Sequence, residues 1–245
     1  MTAIRIATLV ILSLALFAAA CGEEEAPTGP GPAPGSPPAA APARVHRGDV
    51  AVSGPEDAAA LADVVRVEGD LVVRRARLEA LSLPRLEQVT GAVRVQKCPR
   101  LAAVRLPALA HAGSSGGGAL RVENNPRLAE VGLGALSRAP AGVVFRNNPR
   151  LARLDLSDLA AAGGAGIEIV TAAGPRHLDL GALESVTRLW VKSCHGLERL
   201  SLSSIAKARA VWLEGNSNLA ALDLPPARPA DAGAAPIGAG GADRN

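Results

Sequence analysis

The chain reads as an all-β fold, a parallel β-helix built as a leucine-rich solenoid of about seven turns, with a short helix capping its N-terminal end. Three observations lead there. One framework, apolar-x-apolar, a short polar turn, Leu, then Leu-x-Leu and one more Leu, recurs from about residue 65 to 224. It appears as VVFRNNPRLARLDLSDL from Val143, LVVRRARLEALSLPRL from Leu71, VRVQKCPRLAAVRLPAL from Val93 and LRVENNPRLAEVGLGAL from Leu120. It returns as LWVKSCHGLERLSLSSI from Leu189 and VWLEGNSNLAALDL from Val211, with a degraded copy over Ile167 to Leu183. The copies start 22 to 27 residues apart, the spacing of stacked supersecondary units. Within each copy the apolar residues alternate with period two, the mark of strands with one buried face.

Each copy therefore offers two short strands. The inward column of the first runs Leu71, Val93, Leu120, Val143, Ile167, Leu189, Val211, and that of the second Leu83, Leu106, Leu133, Leu156, Leu180, Leu202, Leu224. No copy can bury its face alone, so stacking supplies the core. Composition agrees: 48% of residues are hydrophobic but only 2% aromatic, with no Tyr, two Phe and two Trp, which describes an aliphatic interior. Net charge is +3 with both signs spread over the repeats, which offers no phosphate-binding stripe and excludes nucleic acid as the expected partner.

Before the repeats, Val50 and Val52 read as extended. Ser53-Gly54-Pro55-Glu56 then has the spacing of a capping box opening a short helix through about Ala62. That helix would cover the first turn, whose bare edge would otherwise invite pairing with other chains.

A further column lies at the turn after the first strand: Ala76, Cys98, Asn125, Asn148, Ala172, Cys194, Asn216. Small or amide side chains at a shared inward turn suit a structural ladder in which Asn satisfies backbone groups. The same register places Cys98 and Cys194 four turns apart, roughly 19 Å at about 4.8 Å per strand. A disulfide needs Cα atoms within about 7 Å. Two separate buried thiols are expected.

Residues 1–20 carry Arg5 and an apolar run from Ile6 to Ala20, too short and too closely followed by small residues and Pro for a membrane span, and read as an export signal peptide. The end of this run, Leu16-Phe17-Ala18-Ala19-Ala20-Cys21-Gly22, resembles the lipobox of bacterial lipoproteins, with Ala18 where that family prefers Leu. The resemblance implies cleavage before Cys21, lipid attachment at its sulfur and anchoring to a membrane. Several acyl chains would hold firmly where one is marginal. No Asp follows Cys21, which in the sorting rule of that family favours the outer membrane. Residues 21–44, with three Glu and then seven Pro among Ala and Gly, read as a disordered tether. In polyproline form it spans up to roughly 70 Å. Residues 225–245 read as a second disordered segment, and Pro225 and Pro226 end the ladder because they lack amide donors.

The repeats, in the form N-N-P-x-L-x-x-L-x-L-x-x-L, and the leading segment GPEDAAALADVVRVEGDLVV resemble the receptor L domain, a leucine-rich right-handed β-helix of receptor ectodomains. The resemblance covers about residues 45–224 and implies a right-handed coil and binding of partners through sheet surfaces. Ordinary leucine-rich repeats share the Asn column and are the runner-up fold.

The outward positions of the first strand are Val72, Arg94, Arg121, Val144, Glu168, Trp190 and Trp212. Both Trp residues thus fall on adjacent turns facing out, with Lys192 and Glu214 two residues further on. Paired exposed indoles can stack on a sugar, grip an apolar partner or dip into a membrane. The plainer alternative is that they pack on each other or lie under the C-terminal segment. On the second strand, Arg153, His177 and Arg199 form one outward column and Asp155, Asp179 and Ser201 the next. Two carboxylates beside a His can do acid–base work on a glycan, but a solvated charge ladder explains the same residues. The Gly-rich run Ser114 to Gly118 lacks the Lys-Ser/Thr of a phosphate loop and reads as a long loop.

The expectation from sequence is therefore a monomeric, exported, lipid-anchored binding or adhesion module for a protein or glycan, with no enzymatic activity, cofactor or metal site. An envelope structural protein without a ligand is the first rival, and a β-helix carbohydrate-active enzyme the second.

Overall fold

The computed structural model describes residues 43–113, 120–171 and 173–226. The expected export signal, Cys21, almost all of the tether, the Ser114 to Gly118 run, Ala172 and the chain after 226 lie outside these residues. Nearly every element is a short strand, and all pairing between strands is parallel, as in a β-helix.

The helical coil has three faces, one more than the repeat pattern predicts. The first face holds β2 (Val50–Val52), β4 (Leu71–Arg74), β7 (Val93–Gln96), β10 (Leu120–Glu123), β13 (Val143–Arg146) and β16 (Ile167–Val170). The second holds β5 (Ala80–Ser82), β8 (Ala103–Arg105), β11 (Glu130–Gly132) and β14 (Arg153–Asp155), then β17 (His177–Asp179), β19 (Arg199–Ser201) and β21 (Ala221–Asp223). The third holds β1 (Arg44–Arg47), β3 (Val64–Glu68), β6 (Gln88–Val89), β9 (His111–Ala112), β12 (Arg138–Ala139) and β15 (Ala161–Ala162). Two longer strands, β18 (Ser185–Lys192) and β20 (Lys207–Glu214), turn the corner and belong to both the third and first faces.

The first face is eight strands deep, one more than the copies counted from Leu71, because Val50 and Val52 make a rung of their own against Leu71 and Val73. The solenoid also begins earlier than Val50, with β1 paired to β3.

Inward columns from the three faces meet in one aliphatic core. Leu71, Leu81, Leu83, Leu86 and their counterparts up the stack as far as Leu189, Leu200, Leu202 and Leu183 are almost fully buried, and the third face contributes Val67, Val89, Ala112, Ala139, Ala162 and Val186. Burying a Leu side chain stabilises by about 1.5–3 kcal/mol, which makes these columns the main favourable term. At the corner from third to first face the coil is drawn in so tightly that a Cβ on Gly69 or Gly91 would lie 2.5 Å from backbone of the rung below. Only glycine fits that approach.

The helix α1 (Pro55–Ala60) covers the first rung, with Ala58 and Leu61 turned into the core. Its cap differs from the expected Ser53/Glu56 box. Gly54 is the N-cap, and the Asp57 carboxylate accepts the backbone N–H groups of Ser53 at 2.8 Å and Gly54 at 3.2 Å. Asp57 is the third helical residue, the position from which a carboxylate reaches back to the cap.

Candidate functional site

A ladder of inward side chains at the turn after the first-face strands sets the register of everything outside it. Along the first face, the residue after the strand takes a left-handed conformation: Arg75, Lys97, Asn124, Asn147, Ser193 and Gly215 have φ between 53° and 62°. Asn and Gly accept that region most readily, which gives the first Asn of each N-N-P its role. The next residue then points inward. Asn125 Oδ1 accepts the Cys98 N–H at 2.9 Å while its Nδ2 donates to the Val95 carbonyl at 3.1 Å. Asn148 does the same for Asn125 and Val122, and Asn216 for Cys194 and Val191.

Cys98 and Cys194 stand in the same ladder, each thiol aimed at the carbonyl that an Asn amide would reach, Val73 at 3.7 Å and Ile169 at 3.8 Å. Both are free and buried, and burial pushes both thiols above their ordinary pKa. In the degraded copy Thr171 is 2% exposed, with Oγ1 3.6 Å from the Cys194 sulfur, so a hydroxyl one position earlier than the expected Ala172 enters the column.

Because rungs are in register, β18 and β20 place Trp190 opposite Trp212 and Lys192 opposite Glu214. The two indoles differ in surroundings. Trp212 is 45% exposed, on the last described strand of the first face. Trp190 is half-buried, and its indole N–H is covered without a hydrogen-bond partner. Lys192 Nζ lies 5.6 Å from the Trp190 ring centroid and 2.8 Å from Glu214 Oε2. A cation over an indole face is attracted by the ring quadrupole, so the ammonium joins both indole and carboxylate. The result is a mixed aromatic and charged patch on an outer sheet face.

One strand further down, Glu168 sits opposite Trp190. Although it points outward it is only 5% exposed, and its two oxygens accept from Arg146 Nε at 2.6 Å and Arg146 Nη2 at 2.7 Å. This bidentate pair holds the guanidinium further above its ordinary pKa. The pattern of copies marked Glu168 as an outward residue but not as a buried one. Val144, expected outward on the same face, is also buried, at 1%.

The second face has a break. β14 ends one sheet and β17 begins another, with no strand pairing between them among the described residues. An open groove of ≈ 530 Å³ lies there, lined by residues that include Arg153, Asp155, Arg176 and His177. The carboxylates of this face are occupied with local turns. Asp155 Oδ1 accepts the Ser157 N–H and hydroxyl, and Asp179 Oδ1 accepts the Gly181 N–H. Arg105, Glu130 and Arg153 form a short ladder of opposite charges at 2.8 and 3.5 Å, and Arg176 pairs with Glu198 at 3.7 Å. His177 faces Arg199 across the next rung, and Asp179 faces Ser201. These contacts describe cross-strand pairing on a solvated sheet.

No family model, curated protein or solved structure matches this chain.

Proposed function

We propose that the chain is an exported protein held by lipid on Cys21, sorted to the outer membrane, and that its solenoid binds a protein or glycan partner through the outer face of β18 and β20. What carries this reading is the patch itself. Trp190 and Trp212 are the chain's two Trp residues, they are cross-strand neighbours, and a Lys–Glu pair flanks them. Large amphipathic rings give much contact area with little conformational entropy to lose, and a flat strand face presents them rigidly. The lipobox-like segment and the Pro-rich tether support an anchor with reach. The resemblance of the repeats to receptor L domains favours recognition by a sheet surface over a deep pocket.

Two experiments test the two halves. Radiolabelled palmitate fed to producing cells is expected to label the wild-type protein and not Cys21→Ser, and the variant is expected to leave the membrane fraction. An unlabelled wild type refutes the anchor. Arrays of glycans and of purified envelope proteins, probed with wild type and with Trp190→Ala/Trp212→Ala, are expected to show binding that the double variant loses.

A further inference from the structure

The two ends of the coil are finished differently. At the N-terminal end Val50 and Val52 are 7% and 1% exposed and α1 lies against them. At the other end the same inward columns lie open. Val211, Leu222 and Leu224 are 36%, 41% and 58% exposed, whereas Leu189, Leu200 and Leu202 one rung earlier are at most 1% exposed. Among the described residues β20 pairs only with β18 and β21 only with β19, so there both last strands also present an unpaired backbone edge. Apolar side chains and free strand edges together make a surface that recruits another chain.

We propose that a second copy of this chain covers it, end to end about a two-fold axis. Residues 227–245 offer one large aliphatic side chain, Ile237, against an end that exposes Val211, Leu222 and Leu224, so this segment is poorly supplied to replace a rung. A head-to-tail stack would have to displace α1, which covers the first-face end of the coil at β2. The open end is left to pair with itself, and an isologous contact closes at two copies.

The pairing is also self-complementary. A two-fold axis through the middle of the first face reverses the strands, so β20 runs antiparallel to β20 of the second copy, and β21 lies against the Lys207–Ala208 arm of the second copy's β20. Inward side chains must oppose inward ones across such a pair. On the first face this sets Val211 opposite Leu213 of the second copy, with Trp212 next to its own counterpart. On the second face it sets Leu222 opposite Ala208, which brings Asp223 against Lys207 of the second copy, twice per dimer. Opposite charges directly across a strand pair stabilise it and like charges disfavour it. The Trp patch would then continue across the junction as a row of four indoles. The closed core at the junction does not depend on what that row binds.

The test is the mass of the full chain in mild detergent, by sedimentation velocity across concentration, for wild type, Lys207→Glu, Asp223→Lys and the two combined. The expected result is a wild-type dimer, a dissociation constant raised at least about tenfold in either single variant, and recovery in the charge-swapped double variant. Two results overturn it. A wild type that stays monomeric up to about 100 µM shows that the end is closed otherwise, and dimerisation on deleting 227–245 would then identify that segment as the cover. A dimer indifferent to Lys207→Glu and Asp223→Lys places the interface elsewhere.

Discussion

The Asn125 carboxamide reaches back one full turn to hold Cys98, accepting its backbone N–H at 2.9 Å while donating to the Val95 carbonyl beneath at 3.1 Å. Asn125 is fully buried, so neither group has water as an alternative. Asn125→Ala leaves an amide and a carbonyl unsatisfied and is expected to cost about 2–3 kcal/mol. Cys98→Asn keeps a donor toward the Val73 carbonyl and is expected to stay within about 1 kcal/mol of wild type. Urea midpoints measure both. A wild-type midpoint in Asn125→Ala would remove the ladder from the account of stability.

The thiols predict a pH dependence with a definite sign. Burial raises Cys98 and Cys194 above the ordinary 9.0, and unfolding returns them to it. Below that pH both states hold the protons and the thiols contribute no slope. Above it the unfolded chain loses protons that the folded chain keeps, so stability falls as pH rises, by up to about 1.4 kcal/mol per pH unit for each thiol. Between pH 8 and pH 10 the wild type is expected to lose more stability than Cys98→Ala/Cys194→Ala. Equal losses would show that the thiols titrate as if exposed.

With the two cysteines free and four rungs apart in the stack, non-reducing mass spectrometry of the folded protein is expected to find no Cys98–Cys194 disulfide, and thiol reagents to label both only after denaturation.

Arg146 and Glu168 make a pair that is buried on one side only, with side-chain exposures of 45% and 7%. Arg146→Ala strands a covered carboxylate and is expected to cost about 1–3 kcal/mol, less than a fully buried pair because water reaches the guanidinium side. Arg94→Ala, which breaks a 2.8 Å bridge to a more exposed Asp70, is expected to cost less than about 1 kcal/mol. Equal costs at the two sites would mean that the burial of Glu168 carries no energetic weight.

The first and second faces were legible in the sequence because every rung sets large aliphatic residues at alternate positions, as at Leu71 and Val73 or Leu81 and Leu83. The third was not. Its strands β9, β12 and β15 are two residues long, and each supplies one small inward residue, Ala112, Ala139 or Ala162, too little for an alternation to show. The Trp190–Trp212 register followed from aligning copies. The covered indole N–H of Trp190, the position of Lys192 over its ring and the burial of Glu168 did not, since they depend on how side chains lean rather than on which way a strand points. The degraded copy misled for a local reason: Gly174 takes φ 75° there, the residue after the strand does not turn left-handed, and Thr171 enters the column.

The unequal exposure of the two indoles can be read directly. In Trp190→Phe only Trp212 emits, and in Trp212→Phe only Trp190 does. Acrylamide is expected to quench Trp212 emission more strongly than Trp190 emission, since Trp212 is 45% exposed and Trp190 half-buried. The reverse order would contradict the placement of the patch.

One affinity comparison decides whether the outer face of β18 and β20 is the binding surface. A ligand identified on the arrays is titrated against wild type and against Trp190→Ala/Trp212→Ala, with circular dichroism showing both folded. Binding is expected to be at least about a hundredfold weaker in the variant, because central aromatic anchors carry a large share of interface energy. An unchanged dissociation constant would contradict it and move the search to the groove between β14 and β17.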